Sequence, residues 1–262
     1  MTASPLLAPS LLGPTDPPAV QVQSPGADSP FLFVCDHAGL AVPQALGTLG
    51  LPHKDLERHI GWDIGARTIA EELGQIFGAT VIASTYSRLV YDLNRYPWDP
   101  FAMTALADGT AIPGNAALTQ VHRERRYQEI ARPYHDTIAA EIDARLSRGR
   151  PPILISVHTM TDRMKGGAFR DQAYAVLSTQ DPVSQSFLAA LRSRTDLCVG
   201  DNVPYALDID IDYTVPEHAI RRGLPSIMFE VRQDLVTDLA TAAKHAGVIA
   251  RALRKTDFAA RG

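Results

Sequence analysis

Three apolar runs along the chain end abruptly in ionisable side chains. The β-branched and aromatic residues of these runs are typical of buried strands. In open α/β sheets ligands bind at the carboxyl ends of parallel strands, so the three strand ends can converge on one crevice. The alternative is that each polar residue only satisfies a local turn. The runs, each with the ionisable residue that follows it, are Phe31–Val34 with His37, Pro152–Val157 with His158, and Ser226–Phe229 with Glu230.

The remaining pattern alternates between short β-like runs and segments with helical spacing. Such alternation favours an α/β fold with a mixed, mostly parallel sheet and helices on both faces. The further predicted strands are Ala79–Ala83, Leu89–Leu93, Ala173–Leu177 and Leu197–Val199. The predicted helices are Asp55–Phe77, broken near Gly61 so that a second helix begins at about Trp62, then Ala116–Arg148, divided by Pro133, and Pro182–Arg194, Val215–Arg222 and Leu235–Arg254.

Two segments of the chain lack hydrophobic periodicity, one before the predicted domain and one within it. Residues 1–30 are rich in Pro, Ser, Ala and Gly, and they predict a flexible arm before a single domain over residues 31–262. Within the arm, Ala19–Val22 is a candidate edge strand. Asp99–Asn115 predicts a long surface excursion of the kind that often forms a lid.

Charge and cysteine usage narrow the range of partners. The 262 residues carry a formal net charge of −4 with a pI near 6.0, which gives no electrostatic reason to expect nucleic acid or an anionic membrane as partner. A small-molecule substrate is the expected partner, and the oligomeric state stays open. Cys35 and Cys198 both lie in apolar runs typical of buried thiols, so we expect a reducing cytoplasm. No stretch reaches the ~18–20 apolar residues that span a bilayer.

The residues at the strand ends suit a hydrolytic metal site. A catalytic zinc site needs about three protein ligands and one open position for water. His37 and His158 are suitable ligands, and Asp63 or Asp36 would complete the set. Glu230 follows an apolar strand that would desolvate its carboxylate and raise its pKa, which suits a general base. These residues predict one zinc ion per chain.

The segment Tyr86–Arg95, YSRLVYDLNR, offers a second kind of chemistry. Arginine binds a carboxylate through two parallel hydrogen bonds, and a neighbouring asparagine adds a further donor. We therefore expect Asn94 and Arg95 to hold the carboxylate of an amino-acid-like substrate. Arg88 would share that task or polarise the scissile carbonyl. The alternative is that Arg88 and Arg95 pair with Asp92 or another acid within the fold.

Several motifs together resemble the N-formylglutamate amidohydrolase family. The resemblance extends from Phe31 to the terminal helix. It implies an amidohydrolase whose fold is similar to that of the zinc carboxypeptidases and aspartoacylases, the phosphorylase/hydrolase-like fold. The motifs are HIGWDIGA at 59–66, YSRLVYDLNR at 86–95, GDNVPY at 200–205, YTVPEHA at 213–219 and FEVRQDL at 229–235.

The resemblance implies roles for individual residues. His37 and His158 resemble the two histidine ligands of zinc, and Glu230 resembles the carboxypeptidase general base in its Phe-Glu-x-Arg setting. Asn94 and Arg95 resemble the pair that holds the substrate carboxylate in those enzymes.

Two departures from the family pattern stand beside these roles. Carboxypeptidases take a zinc carboxylate three residues after the first histidine, where this chain has Leu40, so Asp63 takes that place here. Many family members have Ser-Phe-Thr-Pro after the second histidine, and this chain has Thr-Met-Thr-Asp at 159–162. Because those residues would line the pocket, the accepted acyl group or side chain can differ.

The sequence thus predicts a zinc-dependent amidohydrolase that cleaves an N-acyl amino acid, with N-formyl-L-glutamate as the first candidate substrate. One alternative is an amidohydrolase for a different N-acyl amino acid. Another is a zinc-containing small-molecule binding protein without turnover. A third would make Cys35 a nucleophile, because Cys35 and His37 share one side of their strand.

Overall fold

The structure, a computed structural model, describes residues 10–177, 181–193 and 196–259. The strands are β1 (Val20–Gln23), β2 (Phe31–Cys35), β3 (Thr80–Ser84), β4 (Leu106–Ala107), β5 (Thr110–Ala111), β6 (Ile153–Met160), β7 (Tyr174–Leu177), β8 (Val199–Asp201) and β9 (Ser226–Arg232). Seven of them form one sheet in the order β1-β3-β2-β6-β9-β7-β8, and β4 pairs with β5 in a separate hairpin.

The central strands of the sheet run parallel. β3, β2, β6 and β9 are mutually parallel, whereas β1 is antiparallel to β3 and β7 is antiparallel to β9. The predicted mixed, mostly parallel sheet is therefore confirmed. The candidate edge strand Ala19–Val22 forms as β1 and covers the outer edge of β3.

Helices cover both faces of this sheet. They are α1 (His53–Leu56), α2 (Ala66–Phe77), α3 (Gln120–Arg126), α4 (Arg132–Ser147), α5 (Pro182–Arg192), α6 (Thr214–His218) and α7 (Leu239–Leu253). Because strand side chains alternate, Phe33 and Cys35 of β2 pack in the core with α2, α5 and α7, whereas Leu32 and Val34 pack in the core with α4. Within the described residues, no helix combines the length and apolar character needed to cross a membrane.

The predicted strand Leu89–Leu93 is wrong. The segment forms turns, in which the N–H groups of Val90 and Tyr91 donate to the Ser87 carbonyl. Leu89, Val90 and Tyr91 are nevertheless at most 1% exposed and pack on the α4 side of the sheet. Their strand-like composition reflects burial in a core rather than pairing in a ladder.

The helix predicted to begin near Trp62 begins four residues later, at Ala66. Gly65 precedes it with a φ of +83°, and a Cβ at this position would lie 2.8 Å from Cγ2 of Val236. Only glycine meets both demands without strain. Asp63 therefore lies in the loop before α2, where its N–H donates to the carbonyl of His37 at 3.0 Å.

Other predicted elements form with shifted boundaries. The helical stretch before β6 consists of α3 and α4 joined by a π turn, Tyr127–Ala131, and α4 begins at Arg132, next to the division predicted at Pro133. Proline is tolerated there because it lies in the first turn of α4. The strand predicted at Leu197–Val199 forms as β8, and Cys198 is exposed rather than buried. The predicted helix end at Arg194 lies outside the described residues.

The described part of the predicted N-terminal arm lies against the domain. The Glu129 carboxylate accepts hydrogen bonds from the Ser10 hydroxyl and from the N–H groups of Leu11 and Leu12. Leu11 is 5% exposed. Residues 1–9 of the predicted arm lie outside the described residues.

Candidate metal and active site

A cavity of about 660 Å³ is lined by residues at the carboxyl ends of β2, β6 and β9. His37 follows the end of β2, and His158 on β6 is the register partner of Glu230 on β9. Register partners on parallel strands point to the same face of the sheet. The structure thus brings together the three ionisable residues that end the apolar runs. The predicted excursion Asp99–Asn115 contributes to the cavity wall through the β4–β5 hairpin.

Asp63 completes a buried cluster with the two histidines. Its Oδ2 atom lies 2.9 Å from Nδ1 of His158 and 3.4 Å from Nδ1 of His37. One ligand atom from each of the three residues falls within 4.8 Å of the others. Of the two carboxylates considered as third ligand, Asp63 converges with the histidines. Asp36 instead lies behind His158, with 3.3 Å between its Oδ2 and His158 Nε2.

The Nε2 atom of each histidine, which is not the nitrogen that faces Asp63, contacts further polar groups. His37 Nε2 lies 2.8 Å from Oδ1 of Asp92, and His158 Nε2 lies 3.0 Å from the Ser156 hydroxyl as well as near Asp36. Such partners fix the orientation of a metal-binding imidazole and leave its other nitrogen available. In both histidines the nitrogen that faces Asp63 is Nδ1.

The charges within this cluster suit a metal ion. Burial tends to lower the pKa of His37 and of His158, but the adjacent carboxylates outweigh it and raise the pKa of both imidazoles. Burial likewise tends to raise the pKa of Asp63, and the two imidazoles overcome it and lower that pKa. A divalent cation that displaces the imidazole protons would supply the same balancing positive charge. His37, Asp63 and His158 can therefore hold a metal ion, and two histidines with one carboxylate are a donor set found in catalytic zinc sites.

Arg88 links the carboxylates around His37. Its Nη2 and Nε atoms donate to Oδ2 of Asp92 at 2.6 and 3.1 Å, and its Nη1 donates to Oδ1 of Asp63 at 3.3 Å. This is the pairing with an internal acid that the sequence left open as an alternative. The Arg88 side chain is still 28% exposed and lines the cavity. It contacts two carboxylates of the cluster and also reaches the cavity.

Glu230 contributes an unpartnered carboxylate oxygen to the described part of the site. The residue is 8% exposed, and its Oε2 atom is buried with no hydrogen-bond partner among the described residues. Burial raises the pKa of Glu230 to about 7, with the Asp63 carboxylate adding to the shift and His158 opposing it. A carboxyl group with such a pKa can accept and return a proton near neutral pH.

Asn94 and Arg95 both contact Asp212. Oδ1 of Asp212 accepts from Nδ2 of Asn94 at 3.0 Å and from Nη1 of Arg95 at 2.8 Å. Nη1 of Arg95 also donates to the Asn94 carbonyl. The Nε and Nη2 atoms of Arg95 have no partner in the described ranges, and the residue lines the cavity. Arg95 is thus anchored through Nη1, and its Nε and Nη2 atoms remain available for a hydrogen-bond acceptor.

The sequence suggested Asp92 as a possible partner of Arg88 and Arg95, but it indicated neither the contact of Asp92 with His37 nor Asp212 as a site residue. Asp92 lies four residues after Arg88, a spacing that signals an ion pair only where the chain is helical. Asp212 is 117 residues from Arg95, and only the alternating acids at 208–212 hint at it. Cys35, the alternative nucleophile, is fully buried, and burial raises its pKa well above the ordinary value. A protonated, inaccessible thiol is a poor nucleophile, so that alternative is wrong.

Comparisons with known proteins agree with this arrangement. The family model described as N-formylglutamate amidohydrolase matches residues 29–237. An N-formylglutamate deformylase of Pseudomonas putida is 31% identical over 130 residues, which are 44% of this chain and 45% of that enzyme. The match therefore spans about half the length of this curated relative.

Two crystal structures share the fold. A gene product of Agrobacterium tumefaciens has a TM-score of 0.89 and 33% identity, covering 94% of this chain and 97% of that one. An N-formylglutamate amidohydrolase of Ralstonia eutropha has a TM-score of 0.66 and 19% identity, covering 90% of this chain and 96% of that one. The family match extends over most of the sheet and over every strand end that lines the cavity. The chain belongs to the N-formylglutamate amidohydrolase family.

Proposed function

We propose that this protein is a zinc-dependent amidohydrolase that cleaves the amide bond of N-acyl amino acids, with N-formyl-L-glutamate as the first candidate substrate. The observation that carries the proposal is the position of the free carboxylate of Glu230 beside the buried His37, Asp63 and His158 cluster. A metal site next to an unpaired carboxyl group with a pKa near 7 suits amide hydrolysis by water.

His37, Asp63 and His158 would hold the zinc ion through two imidazole nitrogens and one carboxylate oxygen. When bound, zinc supplies a Lewis acid that activates water and polarises an amide carbonyl. Glu230 accepts the proton of the attacking water and returns it to the nitrogen of the leaving amine. Its raised pKa lets one carboxyl group perform both transfers.

Arg95 binds the substrate carboxylate through its free Nε and Nη2 atoms. Asp212 and the Asn94 carbonyl hold Nη1 and so fix the plane of the guanidinium group. The Asn94 side chain bonds to Asp212 and to the backbone of Tyr213 and Thr214, which makes it a positioning residue for Arg95. Arg88, held beside the metal ligands, donates to the carbonyl oxygen of the scissile amide.

The test is release of formate from N-formyl-L-glutamate by the purified protein. Release that stops after chelation and returns when zinc is added supports the proposal. If no N-acyl amino acid in a broad screen is hydrolysed although one zinc ion is bound per chain, the protein is a binding protein without turnover.

The buried, reduced thiol of Cys35 is consistent with a cytoplasmic location.

A further inference from the structure

The floor of the cavity beside Glu230 is apolar. Met228 shares a face of β9 with Glu230, and Met160 shares a face of β6 with His158, because strand side chains alternate. Leu177 of β7 is the register partner of Met228. Met160, Leu177 and Met228 all line the cavity and are only 2%, 3% and 4% exposed. They form a fixed hydrocarbon surface next to the reacting groups.

The mouth of the cavity is apolar as well. Phe101 and Leu106 line it from the segment Asp99–Asn115 and are 67% and 63% exposed. Met164 and Ile211 line it from two other loops and are 38% and 43% exposed. Single exposed hydrophobic residues are ordinary, but a cluster around one opening marks a binding surface. A ligand with an apolar group would cover these side chains.

The cavity offers little positive charge to a substrate with two carboxylates. Arg88 is already paired with the carboxylates of Asp63 and Asp92. Of the arginines that line the described cavity wall, Arg95 keeps a free edge that can take a carboxylate in a bidentate way. Among the described residues that line the cavity, the arginines therefore offer one open guanidinium edge, that of Arg95, to a substrate carboxylate.

His59, the remaining basic residue of the wall apart from the metal-site histidines, does not add a second position. Its Nε2 lies 3.2 Å from Asp108, whose carboxylate also accepts from Arg58 and from the N–H of Lys165. Burial lowers the pKa of His59, so its imidazole is neutral at pH 7. Because Asp108 is itself paired with Arg58, neither His59 nor Arg58 offers a free positive charge to a second substrate carboxylate.

We propose that the cavity selects N-acyl amino acids that carry one carboxylate and a large apolar group, in preference to N-formyl-L-glutamate. The inference rests on the amidohydrolase function proposed above and names its substrate class. The apolar group is either the amino-acid side chain or the acyl chain. Both present the same hydrocarbon surface to the methionines of the floor, and two series of substrates distinguish them.

The experiment measures kcat/KM of the zinc-loaded protein on two substrate series. The first series varies the side chain in N-formyl-L-glutamate, N-formyl-L-leucine and N-formyl-L-phenylalanine. The second varies the acyl chain in N-formyl-, N-acetyl- and N-hexanoyl-L-alanine. One methylene group in an apolar pocket changes kcat/KM by roughly 10–200-fold, so the best apolar substrate should exceed N-formyl-L-glutamate by at least about tenfold.

Binding to the metal-free protein gives a second readout that does not depend on turnover. Titration calorimetry should show tighter binding of N-formyl-L-phenylalanine or N-hexanoyl-L-alanine than of N-formyl-L-glutamate. Burial of hydrocarbon surface also predicts a more negative heat-capacity change for the tighter ligand.

Leu106→Ser tests the mouth, with Leu239→Ser as the matched control. Both leucines are exposed, at 63% and 75%, but Leu239 begins α7 and does not line the cavity. Leu106→Ser should lower kcat/KM for the best apolar substrate by about tenfold and so reduce the ratio of this value to that for N-formyl-L-glutamate. Leu239→Ser should change neither.

Two outcomes would overturn the inference. If N-formyl-L-glutamate is the best substrate, the amidohydrolase function stands and the apolar selection is wrong. If neither series is hydrolysed by zinc-loaded protein, the proposed function fails and the inference fails with it.

Discussion

Replacing Glu230 with glutamine tests the centre of the proposed mechanism. The substitution keeps the shape of the side chain and removes its ability to accept a proton. Glu230 belongs to β9 and is the register partner of His158, so the new amide occupies the same place beside the metal ligands. Oε2 has no hydrogen-bond partner among the described residues, so no internal contact of that atom is broken.

The size of the expected loss of kcat in Glu230→Gln depends on whether another carboxylate near the cavity can accept the proton instead. Positioned proton transfer contributes roughly 10²–10⁴-fold to an enzymatic rate. Asp92 is paired with Arg88 and His37, and Asp212 is paired with Arg95, so neither can replace Glu230. We therefore expect a loss near the upper end, ~10⁴-fold in kcat, or about 5 kcal/mol of transition-state stabilisation.

The assay compares kcat and bound zinc in parallel. Glu230→Gln should retain one zinc ion per chain, measured by elemental analysis, and the control Glu124→Gln, on the exposed surface of α3, should retain both zinc and activity. Near-normal turnover in Glu230→Gln with zinc bound would refute the role of Glu230 as proton acceptor. Loss of zinc together with activity would show that Glu230 supports the metal site instead.

The pH dependence of kcat in the unmodified protein and in Glu230→Gln provides a further check. Glu230 accepts a proton only when ionised, and its pKa is raised to about 7 by burial. Activity should therefore fall as the pH drops through the Glu230 pKa. The positive charge of a bound zinc ion would move the midpoint of this fall to a pH at or below 7. The residual activity of Glu230→Gln should lack this acidic limb.

Three further predictions concern Asp92, Asp212 and His218. Asp92→Asn removes the carboxylate that holds His37 and should weaken zinc binding roughly 10–100-fold, measured by competition with a chelator. Asp212→Asn loosens the anchored side of Arg95 and should raise KM several-fold with a smaller change in kcat. Burial lowers the pKa of His218 to about 3, below an unfolded value of about 6.5, so the unfolded state binds the extra proton and stability falls as the pH drops below 6.5. In urea unfolding, the free energy of unfolding of His218→Phe should fall by about 2 kcal/mol less between pH 7 and pH 5 than that of the unmodified protein.

The sequence could predict which residues lie together at the strand ends because two geometric rules apply to a parallel sheet. A buried strand in a parallel sheet is apolar on both faces, so the first ionisable residue lies near its end; His158 and Glu230 lie two residues before the last residues of β6 and β9. Parallel strands place their carboxyl ends at one edge, so His37, His158 and Glu230 had to lie close together. The same rules failed for Leu89–Leu93, because a loop buried in a core has the composition of a strand without its pairing.

The position of Asp63 could not be read in the same way. A helical first turn at Trp62 and a loop that ends at Gly65 are both compatible with the local pattern. The contact between Gly65 and Val236, 171 residues apart, excludes a side chain at position 65 and so fixes the loop. Tertiary packing of this kind leaves no local signal.

The acids that pair with Arg88 and Arg95 change how the binding of a substrate carboxylate is interpreted. In the sequence, Arg95 is expected to hold the substrate carboxylate, Arg88 to share that task or to polarise the scissile carbonyl, and pairing of both with an internal acid is the alternative. In the fold, Asp63 and Asp92 neutralise Arg88, whereas Asp212 occupies only one side of Arg95. One free guanidinium edge beside a floor of methionine side chains fits a single carboxylate with a hydrocarbon group. The proposed preference for one carboxylate therefore rests on the pairing partners of the arginines rather than on the arginines themselves.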